Sequence, residues 1–312
     1  MKKLIAICAA ALVIVPLAGC DDASAKLDSA NEPVVTIGGK RITKGQLYSS
    51  LMTSVGESTA ISHSWQVIED QEIETTDEML SNAQSTLSGY KMMYGEDTFN
   101  QYLESTGMTE DDYINNVILV STKKQELYKK YIEENFDTVV TAYNPIKATI
   151  LTFTSSDDAN AAVSGLKDGS TTVADVISQY SLSDSGESQL ITIDTTSIDT
   201  IALSYLRSAS VDDGWQVVPG SSEDTWYVLR LDSNTPADYR DEFIDWAYQQ
   251  TSVQNDATTY WFKKYNFHVY DIDLYNAVAS ADPNALVQAI ADPTPTPEES
   301  ASASASASAD AN

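Results

Sequence analysis

Cysteine is almost absent from this 312-residue chain: Cys8 and Cys20 are the two, and both lie in the first twenty residues. The long remainder therefore has no internal disulfide, no thiolate zinc site and no cysteine nucleophile. Histidine is as scarce, with His63 and His268 alone. A hydrolytic triad would need one of them beside a nucleophile and a carboxylate, and no Gly-x-Ser-x-Gly elbow is present. Both are expected to be ordinary surface or partly packed side chains. Basic residues are also few, 18 Lys and Arg against 46 Asp and Glu, for a net charge of −28. Such a surface repels nucleic acid and anionic headgroups and attracts cations or basic polypeptide segments; its plainest role is solubility. Asp271-x-Asp273 matches no EF-hand loop and suits a cap for the helix starting near Leu274, so neither a metal nor a cofactor is expected.

What is present begins at the N-terminus. Lys2 and Lys3 precede an apolar run from Leu4 to Leu17, shorter than the roughly 20 residues of a membrane-spanning helix. Charged start, apolar middle and small residues before Cys20 make residues 1–19 a signal peptide. Leu17-Ala18-Gly19-Cys20 resembles the lipobox of bacterial lipoproteins, which implies lipidation of Cys20 and an extracytoplasmic chain anchored to the cell membrane. Residues 20–32 are small, polar and acidic, as in a flexible tether.

Folded structure is expected from Pro33. Val34 to Ile37 and Lys40 to Ile42 flank Gly38-Gly39, a two-residue hairpin turn, and Thr43 with Gln46 forms a capping box for the next helix. Thr75 with Glu78 reads as another, ahead of Met79, Leu80, Ala83, Leu87, Tyr90 and Tyr94 at helical spacing; Thr109 with Asp112 opens a long helix to about Phe136. From Asn144 the pattern changes. Ile146 to Phe153 predicts a strand, Ser155 to Gly169 and Val173 to Tyr180 short helices, Gln189 to Ile193 a strand, Ile198 to Leu206 a helix and Trp226 to Leu231 a final strand. Helical spacing returns at Tyr239, Phe243, Trp246 and Val253. The fold class is α+β: a mostly helical domain composed of residues 33–143 and 236–281, with a small α+β domain, 144–235, inserted in it. The Pro/Thr and Ser-Ala tail, 282–312, has too little apolar surface to offset ordering entropy and is expected to be disordered.

The order of these segments resembles the PrsA-type foldase lipoproteins, relatives of the SurA chaperones and of the parvulin peptidyl-prolyl isomerases. The lipobox, the hairpin Val34 to Thr43, the run Tyr94-Gly95 with Phe99, Leu103, Gly107-Met108-Thr109 and Tyr113, and the closing segment Tyr260 to Leu274 carry the likeness. Within the middle module, Ile146 to Leu151 and Val173 to Ser181 resemble parvulin elements, as do Gly214 to Pro219 and Trp226 to Leu231. Active parvulins carry a histidine in the first strand and usually another in the last; matching segments places Thr149 and Tyr227 there, so both are replaced. The glycine-rich turn of the family is replaced by Ser185 to Leu190. The resemblance implies a membrane-anchored foldase or chaperone for unfolded and secreted polypeptides, with a parvulin-like module of weak or no isomerase activity. Two alternatives stay open: an active prolyl isomerase, and a ligand-binding or adhesive surface lipoprotein. Candidates for a client crevice are Trp65, Tyr90, Tyr94, Trp246, Tyr260 and Trp261, since aromatic surface holds extended chains without strict sequence demands; at helical spacing the same residues also suit a core.

Overall fold

A computed structural model describes residues 27–288 and shows an α+β chain. The signal segment and Cys20 lie outside the described residues, as does the tail beyond residue 288. Two compact units are present: in described residues, 27–64 with 262–288, and 65–261.

The chain opens with the hairpin β1 (Pro33–Ile37) and β2 (Lys40–Thr43), antiparallel with Ile37 opposite Lys40. Gly38 and Gly39 take φ of +54° and +77°, the left-handed conformations that a two-residue turn requires. Thr43 caps α1 (Lys44–Leu51) in the expected box with Gln46. A π-helical turn (Met52–Gly56) leads into α2 (Glu57–Glu72). The next helix, α3 (Asp77–Tyr94), is capped by Thr76, whose hydroxyl accepts from the Met79 amide at 3.1 Å. This corrects the Thr75 and Glu78 box: Thr76 holds the extended conformation of a cap, and Glu78 falls within the first turn, where its charge complements the helix dipole.

Gly95, at φ +84°, ends α3 and starts α4 (Glu96–Thr106). The Thr109 and Asp112 box opens α5 (Glu110–Tyr113), which runs through a second π-helical turn (Ile114–Ile118) into α6 (Leu119–Glu134). Ala83, Leu87, Phe99, Leu103, Ile114, Ile118 and Leu119 form the core of this helical stretch.

After α7 (Phe136–Tyr143) comes β3 (Ile146–Phe153), then α8 (Ser156–Asp168), α9 (Val173–Tyr180), β4 (Gln189–Ile191), α10 (Thr200–Ser208), β5 (Gln216–Pro219) and β6 (Trp226–Ser233). The four strands form one antiparallel sheet in the order β4-β3-β6-β5. Side chains alternate across it, and both faces are covered. Ala148, Ile150, Leu229 and Leu231 pack on Ala202 and Leu206 of α10. On the other face, Leu151, Phe153 and Val228 meet Ala159, Ala162 and Val163 of α8 and Val176 of α9. The Tyr239 hydroxyl donates to the Pro145 carbonyl at 2.8 Å, and its burial pushes that phenol up to about 12.

The last helices are α11 (Arg240–Ala247), α12 (Thr251–Lys264) and α13 (Ile272–Ala281). Asp271 caps α13 as expected, accepting from the Leu274 amide at 3.0 Å. The fold continues past the expected boundary at 282: Ala285 is buried, and the Gln288 side chain donates to the Val269 carbonyl and accepts from its amide. Among the described residues, no helix is long and apolar enough to cross a membrane.

Candidate functional site

Thr149 and Tyr227 do not come together. On β3, Thr149 lies opposite Arg230 and shares the α8 and α9 face with Leu151 and Phe153, whereas Tyr227 packs with the α10 face. A strand alternates its side chains with period two, so the pair stands on opposite sides of the sheet and cannot form one polar network. The nearest β3 residues on Tyr227's face are Ile150 and Thr152, the latter directly across from it. Sequence matching missed this because a one-residue slip along a strand of mostly apolar residues changes the face without disturbing the apparent likeness.

Thr149 is 3% exposed, and its hydroxyl donates to Asp232 Oδ2 at 2.7 Å. Asp232 also accepts from the Ser188 hydroxyl at 2.6 Å and from Arg230 Nε at 2.6 Å, while the Arg230 guanidinium lies 4.7 Å from the Trp215 ring centre. This is a satisfied structural network. Around Tyr227 the polar groups are carboxylates: Asp184, which accepts from the Thr152 amide at 2.8 Å, and Asp199, which caps α10 and accepts from Ser221. Burial first, then Asp199 and Asp184, raises the Tyr227 phenol, keeping it neutral at physiological pH. The sheet surface behind it is filled by α10.

The six aromatic candidates fall in separate places. Trp65 is 4% exposed and meets Tyr128 edge-on at 6.0 Å; Trp261 is wholly buried and donates from Nε1 to the Leu127 carbonyl at 3.0 Å. These two are core side chains, which corrects their assignment to a client surface: a packed indole whose partners are internal offers nothing to an incoming chain. Trp246 is half-buried against Phe243 and Tyr143. Tyr260 is half-buried and donates to Glu134, the main reason its phenol is pushed up to about 12.

Tyr90 and Tyr94 are different. Tyr94 is 60% exposed and lies 6.3 Å from Tyr90, which meets Tyr113 at 6.4 Å; Tyr113 in turn meets Tyr102 at 6.0 Å and the buried Phe99 at 5.3 Å. Four tyrosines from α3, α4 and α5 thus form one connected surface. Burial, with the neighbouring phenols of Tyr102, Tyr90 and Tyr94, raises the Tyr113 phenol, which is uncharged at neutral pH. In the last turn of α3, Met92 and Met93 are 82% and 70% exposed; Met93, three residues after Tyr90, adjoins the tyrosine side of the helix, whereas Met92, two residues from both Tyr90 and Tyr94, faces the opposite way. Tyr102, Tyr113 and the methionine pair were missed by the sequence argument, although a signal exists: Met92 and Met93 fall off the apolar stripe through Ala83, Leu87 and Tyr90, where a helix normally places polar residues.

His268 is half-buried, its ring 4.5 Å from that of Tyr270, and His63 lies on α2. Among the described residues, no group of three or more His, Cys, Asp or Glu is arranged to hold a metal ion.

No protein-family model matches the chain, and no curated protein matches it. Solved structures do. The chain is similar to the crystal structure of foldase protein PrsA from Streptococcus pneumoniae, with 17% identity, a TM-score of 0.40, and 79% of this chain and 98% of that one covered. It is similar to peptidylprolyl isomerase (PrsA) from Bacillus cereus, at 16% identity and a TM-score of 0.43 over 81% and 99% of the two chains. Likewise it is similar to PrsA from Bacillus subtilis, at 16% identity and a TM-score of 0.34 over 80% and 98%.

Proposed function

We propose that this chain is a chaperone of the foldase type, tethered through lipidated Cys20 to the extracytoplasmic face of the cell membrane, where it holds unfolded secreted polypeptides. The observation that carries this reading is the surface built by Tyr90, Tyr94, Tyr102 and Tyr113, with the exposed Met93 on the adjoining side of α3. Tyrosine pairs an apolar ring with a polar tip at little entropic cost, and methionine adapts its shape to whatever it meets. Such a surface takes many sequences weakly. A second uncovered apolar region supports it: on the hairpin and α1, Val35, Ile37, Leu47 and Leu51 are between 46% and 72% exposed. Hairpin edges with unpaired backbone groups suit extended chains.

The sheet module serves in this reading as a binding or spacer element without efficient prolyl isomerisation. That reaction has a barrier of about 20 kcal/mol and is accelerated by a shaped pocket that favours the twisted amide. Tyr227 has Ile150 and Thr152 as its β3 neighbours, and α10 fills the face behind it. The test is suppression of aggregation when an unfolded protein is diluted from denaturant, run beside a prolyl-peptide isomerisation assay. Suppression without acceleration of isomerisation is expected. Acceleration abolished by Tyr227→Phe would replace this reading with an isomerase, and neither activity would leave a ligand-binding or adhesive lipoprotein.

A further inference from the structure

Away from the tyrosine surface, α2, the second π-helical turn and the start of α6 enclose a polar cleft of about 330 Å³. Glu69 forms part of its wall. The residue is 1% exposed, and its Oε1 is buried without a hydrogen-bond partner. An unpaired buried carboxylate is costly and is rarely kept without a use. Asp70, Gln66, Asn115 and Asn116 line the same cleft, and the Asn115 amide nitrogen is spent on the Asp111 carbonyl at 2.8 Å, leaving its side-chain oxygen as an acceptor. Asn115 and Asn116 sit in the π-helical turn, an irregularity frequent at functional sites.

We propose that this cleft binds a guanidinium group, with Glu69 as its principal partner. A guanidinium is a planar fork of five donors, able to satisfy a carboxylate and neighbouring amide oxygens together, which an ammonium does less well. The volume suits a side-chain-sized ligand on its stem, being far larger than one coordinated ion needs. The net charge of −28 draws cationic ligands towards the chain. Two lysines face Glu69 from α6: Lys123, which also lines the cleft, is paired with Asp70 at 2.8 Å, and Lys124, whose charge acts on Glu69, stands 4.7 Å from the centre of the Trp65 ring. Burial raises the Glu69 carboxyl to about 7, against the opposing effect of Lys124 and Lys123, with Asp70 adding slightly to the rise. The empty site is thus about half protonated near pH 7, and binding a cation displaces that proton. This inference stands whether or not the chain is a chaperone.

The test is calorimetric titration of the full-length chain with N-acetyl-arginine amide, the citrulline counterpart, and a short Gly/Ser peptide carrying one arginine. Expected are saturable binding of both arginine ligands, at least a tenfold preference over citrulline, affinity rising from pH 6 to pH 8 with proton release, and at least a tenfold loss in Glu69→Gln. Tighter binding of the peptide assigns the site to a polypeptide side chain, and equal binding assigns it to a free guanidinium compound. Equal affinity for arginine and citrulline, wild-type affinity in Glu69→Gln, or no binding would each overturn the proposal. The pH dependence of the wild type keeps the test decisive even if the variant folds poorly.

Discussion

The sheet module and the α3 to α5 helices handle aromatic residues in opposite ways. In the module, Phe153 and Trp215 are buried and every central strand residue has a covering helix or a bonded partner. In the helical segment, Tyr94 and Tyr102 remain 60% and 46% exposed, although Phe99 and Leu103 are buried beneath this stretch. Exposed aromatics that the core does not need are a cost in solubility, and a connected group of them marks a surface for binding. The sheet module is therefore the closed region, and the open surface lies elsewhere.

The contrast is broken hardest by Leu229→Ala, which empties a fully buried position on the α10 face and is expected to cost about 2–5 kcal/mol in chemical denaturation. If the two regions do separate work, aggregation suppression per folded molecule stays unchanged in that variant. Next comes Glu69→Gln. Between the ordinary carboxyl value near 4.3 and about 7, the native chain holds a proton at Glu69 that the unfolded chain lacks, so its contribution to stability falls as pH rises through that window and is level above it. Glutamine mimics the protonated acid; at pH 8 the variant is expected to be more stable by about 1–3 kcal/mol, and at pH 4.5 to match the wild type. Thr149→Val removes one bond to Asp232, which keeps Ser188 and Arg230, for a cost of about 1 kcal/mol and no change in client binding. Smallest is Thr109→Ala at the start of α5, costing about 0.5–1 kcal/mol in thermal unfolding.

Much of the fold was legible because local chemistry and tertiary structure agree: Gly38-Gly39 requires a turn, Thr43 with Gln46 and Thr109 with Asp112 cap helices, and Ile146 to Phe153 forms the long strand predicted from its composition. The site was less legible. Strand residues advertise burial but not which face they take when both faces are apolar, and so Thr149 and Tyr227 were each matched to a parvulin histidine position although they stand on opposite faces of the sheet. Helical spacing likewise places an aromatic on a core stripe without showing whether neighbouring helices finish the cover. They do for Trp65 and Trp261 and do not for Tyr94. Glu69 was invisible, because one carboxyl among 46 acidic residues carries no mark of its burial.

The central claim is that the tyrosine and methionine surface, and not the sheet module, holds unfolded chains. Light scattering of a diluted unfolded protein, with wild type compared against Met93→Ser/Tyr94→Ser/Tyr102→Ser, tests it most directly. These side chains are exposed, so the triple variant should fold normally. The account predicts that about tenfold more of the variant is needed for equal suppression, the scale of losing a binding hot spot. Equal suppression by variant and wild type would contradict it.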